Sequence, residues 1–499
     1  MVAETPGADR QTQNIPGVLS TRQWRGLVTV LLVYFGTRLL FFAFTVSGQV
    51  PPDETTHLGM IRVFSTVLGL PVNSPETYHL GLVTNVPWLY YWLMGKALTL
   101  NVFGLPDLLF LRLLNIPFAF ATVYFVWRTL RLLTGDRLTQ LLVIVAMTNT
   151  LMFSFLSAAV SYDNLTNLLS AMAIYNLCTF FKERSGTRLG LSWCCQLAGG
   201  LVKASMLPLM MILNIVLLIH EFKNLRDLPS SLATFCRRSV WKAVGLTVAI
   251  LFFSVLNFQL YGGNYLRYSK LLPEMWLILP FENVMQHRIS ARDMVLELFK
   301  QERVSYAQAM ELSSTINHDG DRQATVALVN NLMERRYSGG RLLSPLEYVV
   351  PWCKAVLASV YGILAHKNML NRGMTLVPVV ALILLAAVAM LICYRPRESA
   401  GIPTCLAVTA LSYAAFLLYF MNYTQYLFYE SIYVALQGRY VFPVIGALYV
   451  LSGFYLMRLF TGEKVRLAVA VLTTLSFVAM DFPFFLWHVS AEWFALVLW

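Results

Sequence analysis

Val86-Pro87-Trp88-Leu89-Tyr90-Tyr91-Trp92, running on through Lys96 to Val102, is the stretch on which the fold turns. It is apolar enough to cross a membrane, and counting it as a crossing inverts every later loop. Its aromatics and Lys96 suit a different placement, an amphipathic helix lying at the membrane surface. The sequence therefore predicts an interfacial helix here, inside a long first outer loop spanning 47–107.

Outward from that stretch the chain is mostly membrane-like. It is 57% hydrophobic and only 13% charged, which excludes an ordinary soluble domain. A spanning helix needs about 20 apolar residues. About eleven stretches qualify: 24–46, 108–130, 138–159, 164–181, 189–203, 205–220, 241–260, 373–393, 402–421, 440–459 and 467–487. The pair 189–203 and 205–220 is short and broken around Lys203-Ala204-Ser205-Met206-Leu207-Pro208, as expected where a polar break faces a cavity. The first apolar run is too long for a signal peptide and lacks a small-residue cleavage site.

With the N-terminus inside, every inner loop is basic. These loops hold Arg22 and Arg25; Arg128, Arg131 and Arg137; Lys182, Arg184 and Arg188; Lys223, Arg226, Arg237, Arg238 and Lys242; Arg395 and Arg397; and Arg458, Lys464 and Arg466. That pattern accounts for most of the +12 net charge, so nucleic-acid binding is not expected. The expected organisation is a polar, disordered cytoplasmic N-terminus over 1–20 and an N-terminal transmembrane core over 21–260. A large outer region follows over 261–372, then C-terminal transmembrane helices over 373–499. Within the outer region, short helices are expected near 291–303 and 321–336. Seven cysteines form no CxxC and no zinc-like spacing with histidine, and the seven histidines are scattered. The cysteines read as packing residues and no metal site is expected.

Four polar constellations fall on the outer face. Asp53-Glu54-Thr55-Thr56-His57 follows Pro51-Pro52, and Asp53 and His57 share a face if a helix starts there. The plainer reading makes Asp53 an N-cap, Glu54 a partner of the helix dipole and His57 merely wet. In Ser161-Tyr162-Asp163-Asn164, either Ser161 or Asp163 caps the next helix, which does not forbid a second role. Lys203, with Ser205, either snorkels to the surface or reaches an anion. Gln437-Gly438-Arg439-Tyr440 sets a planar fork suited to phosphate oxygens beside a glycine that gives backbone room; the alternative is a rim arginine among lipid headgroups. Arg38 lies inside the first helix and needs a buried partner, which the sequence does not name.

Carboxylates with Lys and Arg at one leaflet, without a P-loop, HExxH or GxSxG motif, suit one reaction class. A lipid-phosphate leaving group departs as a stable anion and needs cations, while the acceptor hydroxyl needs a carboxylate to take its proton.

Here the chain resembles the C-type glycosyltransferase superfamily, whose members carry many transmembrane helices and an acidic motif in the first outer loop. It is more specifically similar to a bacterial membrane-protein family, domain of unknown function 2142. The similarity runs in order over about 390 residues. It covers Pro52-Asp53-Glu54 with His57, Pro87-Trp88-Leu89-Tyr90-Tyr91, Ser161-Tyr162-Asp163-Asn164-Leu165, Lys203 before Pro208, and Gln437-Gly438-Arg439-Tyr440-Val441-Phe442-Pro443, the most specific segment. Asn85-Val86-Pro87-Trp88 departs from the family's paired prolines, and Tyr162 stands where a small residue or proline is usual.

The resemblance implies an all-α polytopic bundle of about eleven transmembrane helices, with two long outer loops. It implies an inverting glycosyltransferase of a bacterial cytoplasmic membrane, active on the periplasmic face. The donor would be a polyprenyl-phosphate sugar and the acceptor an envelope glycan, lipid or protein. Asp53 would be the base, with Glu54 supporting it or helping to bind a divalent ion, as in some branches; no cofactor is expected to be obligatory. Charge and side make Arg439 and Lys203 the expected phosphate ligands, with Gln437, Tyr440, His57 and Asp163 as further substrate-binding candidates. The competing classes are a transporter or flippase, a non-catalytic component of envelope polysaccharide assembly, and a ligase using lipid-diphosphate donors. A transporter would place its polar groups at the membrane midplane, often with inverted repeats.

Overall fold

The computed structural model describes residues 19–222, 240–396, 398–432, 434 and 436–495. The N-terminal segment 1–18 and most of the basic loop before residue 240 lie outside the described residues, with Arg397. Among those described there is no strand, and helices follow one another along the chain. They are α1 Thr21–Thr45, α2 Glu54–Ser65, α3 Leu89–Leu98, α4 Asp107–Leu133, α5 Arg137–Thr148 and α6 Leu151–Ser157. Next come α7 Tyr162–Glu183, α8 Gly186–Val202, α9 Met206–Glu221 and α10 Val240–Tyr268. Then come α11 Arg288–Lys300, α12 Tyr306–Ser314, α13 Asp319–Ser338 and α14 Pro345–Val360. The chain returns through α15 Leu376–Cys393, α16 Glu398–Tyr429, α17 Gly438–Leu459 and α18 Glu463–His488.

Seven of these helices are long and apolar enough to cross a membrane, or eight if bent α5–α6 counts as one span. This is a multi-pass membrane protein. The expected count of eleven is reduced at α7, α8 and α9, which are helical but either too polar or too short to qualify. The stretch expected as one span over 138–159 is bent by 64°.

The bend has a local cause. Thr148, Asn149 and Thr150 turn their side chains back onto the carbonyls of Ile144, Val145 and Ala146, at 2.8, 3.0 and 2.7 Å. This competes with the helical ladder. The Thr148 carbonyl left at the break accepts from Arg38 Nη2 at 2.7 Å and Ser154 Oγ at 3.1 Å. Arg38 pairs in turn with Asp481, the buried partner the sequence did not name.

α3 has ten residues, about 15 Å of helix, and packs on α2. Their backbones come so close that a Cβ on Gly95 would lie 2.9 Å from the Phe64 carbonyl carbon and the Ser65 nitrogen. Lys96 Nζ donates to the carbonyls of Phe64 and Val67, closing the C-terminal end of α2 where a cation is favoured. The aromatic stretch and its lysine therefore brace α2.

The main core lies among α1, α5, α6, α7 and α17, around Phe35, Phe42, Phe155 and Tyr455. α17 is the most enclosed of the spans. Helices α11 and α13 share a small core of their own, Val295, Leu296, Phe299, Leu328 and Val329, which meets Tyr429 at the end of α16.

Candidate active site

Asp53 stands immediately before α2 with φ 58°, a left-handed backbone that aspartate tolerates better than most residues, at some cost. Its carboxylate makes no cap bond to α2. Its oxygens go elsewhere: Oδ1 accepts from Arg288 Nη2 at 2.5 Å and Oδ2 from Arg439 Nη2 at 3.2 Å. The N-cap alternative is thus set aside by geometry. The Asp53 backbone N–H donates to His366 Nε2 at 3.2 Å, which helps fix the unusual turn.

Arg439 is 3% exposed and reaches a second acid, with Nη1 3.3 Å from Asp163 Oδ2. Asp163 is free to take it because Ser161 performs the capping of α7, accepting from the Asp163 backbone N–H at 3.2 Å. The other Asp163 oxygen pairs with Lys203 Nζ. Lys203 follows α8 at the polar break, and its ammonium sits over two rings, 4.8 Å from the Tyr162 centroid and 5.1 Å from Tyr440. Asp53, Arg439, Asp163 and Lys203 therefore form one continuous chain of alternating charge.

Gly438 is where this chain needs a glycine. Its N–H donates to Ser359 Oγ at 2.8 Å, and a Cβ there would lie 2.7 Å from that oxygen and from the Val360 nitrogen. Close contact with the end of α14 sets the position of Arg439.

A cavity of about 930 Å³ adjoins the charged chain. Lys203, Tyr162 and Tyr440 form part of its wall, and Pro208, Met211 and Met421 bring apolar surface from α9 and α16. Asp53 and Arg439 do not line it themselves. Asp53 keeps 28% exposure.

His57 is not wet. It is 3% exposed, with Nδ1 2.9 Å from the Tyr91 hydroxyl and its ring edge-on to Tyr162 at 4.6 Å. Burial dominates its titration and brings it down to about 4, against the pull of Asp53. Its Nε2, Arg439 Nε and Gln437 Oε1 are buried without a partner among the described residues. Burial alone would raise the Asp53 carboxyl; Arg439, His57, Arg288 and His366 outweigh it and bring it to about 2.

Glu54 points away from this assembly. It is fully buried, accepts from Arg112 through both oxygens at 2.8 and 2.5 Å, and accepts from the Val160 N–H at 2.7 Å. Arg112 also donates to the Ala43 and Val46 carbonyls at 3.0 and 2.7 Å. The pair ties the end of α1, the start of α2, α4 and the loop before α7 into one frame. All three of these hydrogen bonds run into the frame, so Glu54 holds the backbone that carries Asp53. Among the described residues, no three His, Cys, Asp or Glu side chains group in a way that could hold a metal ion.

Arg288 and His366 were not singled out from the sequence. Both come from the long segment over 261–372, where a lone Arg or His is unremarkable. Arg112 carried a signal, since an arginine within an apolar run must have a partner.

No family model matches the chain, and no curated protein matches it. The family label suggested by the motifs therefore stands without a family-model match. Solved structures of low identity are similar to it. One is the archaeal oligosaccharyltransferase AglB from Archaeoglobus fulgidus in complex with an inhibitory peptide and a dolichol-phosphate. It is 13% identical, with 92% of this chain and 55% of that one covered and a TM-score of 0.48. The apo form of the Archaeoglobus fulgidus enzyme is 12% identical, with 93% and 56% covered and a TM-score of 0.49. ArnT from Cupriavidus metallidurans bound to undecaprenyl phosphate is 13% identical, with 88% and 78% covered and a TM-score of 0.37. This chain spans about half the length of the oligosaccharyltransferase chains it matches. With each of these TM-scores below 0.5, the functional reading rests on the site itself.

Proposed function

We propose that this chain is an inverting membrane glycosyltransferase that moves a sugar from a polyprenyl-phosphate donor to an envelope acceptor at the periplasmic face of a bacterial cytoplasmic membrane. The observation that carries this reading is the chain Asp53–Arg439–Asp163–Lys203, buried at Arg439 and Asp163, beside a cavity with apolar helix walls. It supplies a carboxylate and two cations within one network, the two functions the transfer needs.

In the proposed step the acceptor hydroxyl oxygen attacks the anomeric carbon and gives its proton to Asp53. The carbon–oxygen bond to phosphate breaks, and its electron pair leaves with the lipid phosphate. Lys203 and Arg439 neutralise that growing charge. In the resting state Asp53 is a weak base because the cations hold its proton affinity down. A donor phosphate competes with Asp53 for Arg439, so donor binding raises Asp53's basicity just when a base is required. Asp163 keeps Lys203 and Arg439 apart and in place until the phosphate arrives.

The test is deletion of the gene followed by mass analysis of envelope glycans and lipid-linked sugars. Loss of one sugar from an envelope glycan, with accumulation of its lipid-phosphate form, supports the reading. Unchanged glycans and unchanged lipid-linked sugars would refute it.

A further inference from the structure

The cavity has a second polar stretch of wall that the chemistry above does not use. Ser290 and Asp293 of α11, with Trp276 and His287 just before that helix, line it. Asp293 is held rigidly. Its Oδ1 accepts from the Tyr429 hydroxyl at 2.9 Å and from Arg292 Nε at 2.9 Å, and Arg292 Nη2 also donates to the Tyr429 hydroxyl at 3.0 Å. Its Oδ2 takes no hydrogen bond among the described residues. Burial raises the Asp293 carboxyl above its ordinary value, against the lowering by Arg292 and Tyr429, as for an acid short of donors.

The same helix begins at the proposed base. Arg288 touches Asp53, and Asp293 stands five residues further on, about 7.5 Å along the helix axis. A fixed carboxylate oxygen, a serine and an indole on one wall are the groups that bind sugar hydroxyls and the apolar face of a ring.

We propose that Asp293, with Trp276 and Ser290, forms the subsite for the donor's sugar. Asp293 Oδ2 accepts from the sugar's hydroxyls and thereby selects which lipid-linked sugar is used. This rests on the lipid-phosphate-sugar reading above and deepens it. A site built to accept from a particular hydroxyl rejects an analogue that cannot supply it.

The test uses the full chain in lipid nanodiscs and two kinds of probe: bare undecaprenyl phosphate, and undecaprenyl phosphate carrying glucose, galactose or mannose. The wild type should bind one sugar-bearing lipid more tightly than the bare lipid and than the other sugars. Asp293→Asn should bind the bare lipid as the wild type does and lose affinity for the preferred sugar lipid by roughly 10- to 100-fold, the scale of one hydrogen bond to a charged group. Trp276→Phe should retain the preference and Trp276→Ala weaken it. Unchanged bare-lipid binding shows that these variants fold. An Asp293→Asn variant that keeps the wild-type preference, or loses bare and sugar-bearing lipids alike, overturns the proposal, as does a wild type with no preference. A wild type that binds no lipid phosphate at all instead refutes the underlying functional reading.

Discussion

Asp53 and Asp163 share one guanidinium: Arg439 lies 3.2 Å from the first and 3.3 Å from the second. The loop after α1 and the start of α7 are thereby held to the start of α17. A planar fork can serve two acceptors at once, and a lysine cannot do so in the same geometry.

Arg439→Lys should therefore keep the charge and lose the fork. Affinity for undecaprenyl phosphate should fall by about 10-fold in Arg439→Lys and further in Arg439→Ala, since charge-assisted bonds contribute about 1.5–3 kcal/mol each. Equilibrium binding in nanodiscs measures both.

Glu54 and Arg112 should behave as frame. Glu54→Gln leaves Arg112 buried without its counter-charge, and breaking such a pair costs about 3–5 kcal/mol. Thermal unfolding in detergent should show the loss, and Glu54→Gln/Arg112→Met should recover much of it. The fraction that stays folded should still bind undecaprenyl phosphate.

The pH dependence follows from the cations around Asp53. Their net effect lowers its carboxyl from 3.8 to about 2. A carboxylate lowered on folding stabilises the fold fully above its ordinary pKa, and that stabilisation is lost as pH falls through the folded value. Asp53 thus adds its share of stability above about pH 4 and loses it towards pH 2. Arg288→Ala removes one of the lowering charges, so the acid limb of kcat/KM should move to higher pH. A pH–rate profile of both forms checks the direction.

Gly438→Ala should disturb the site from behind. The added methyl meets Ser359 Oγ and the Val360 nitrogen at 2.7 Å, so α14 or Arg439 must shift. Overpacking of this kind costs about 1–3 kcal/mol, and phosphate affinity should fall with it. Calorimetry alongside lipid binding separates the two effects.

Much of the site was legible because polar groups in an apolar chain stand out. Asp53, Asp163, Lys203 and Arg439 each sit at the edge of an apolar run, and the structure joins all four. Glu54 lies beside Asp53 in the chain but faces another way. One residue along a helix start turns the side chain by about 100°, enough to send it to Arg112 on α4. Arg38 and Asp481 were both lone charges in apolar runs, a signal that they belong together, yet spacing alone could not pair residues so far apart. The bend at Asn149 was hidden because Thr and Asn are tolerated in spans, and their turning back onto the ladder depends on Arg38 being there to take the freed carbonyl. Arg288 was illegible for the opposite reason: in a charge-rich segment, one arginine carries no signal.

The central claim is that Asp53 takes the acceptor's proton. Its most direct test is single-turnover release of lipid phosphate from the sugar donor by Asp53→Asn, at equal protein abundance and with undecaprenyl phosphate binding measured in parallel. The expected result is a fall of about 10²- to 10⁴-fold, the usual contribution of a positioned base, while the lipid phosphate still binds. Release at the wild-type rate would contradict it.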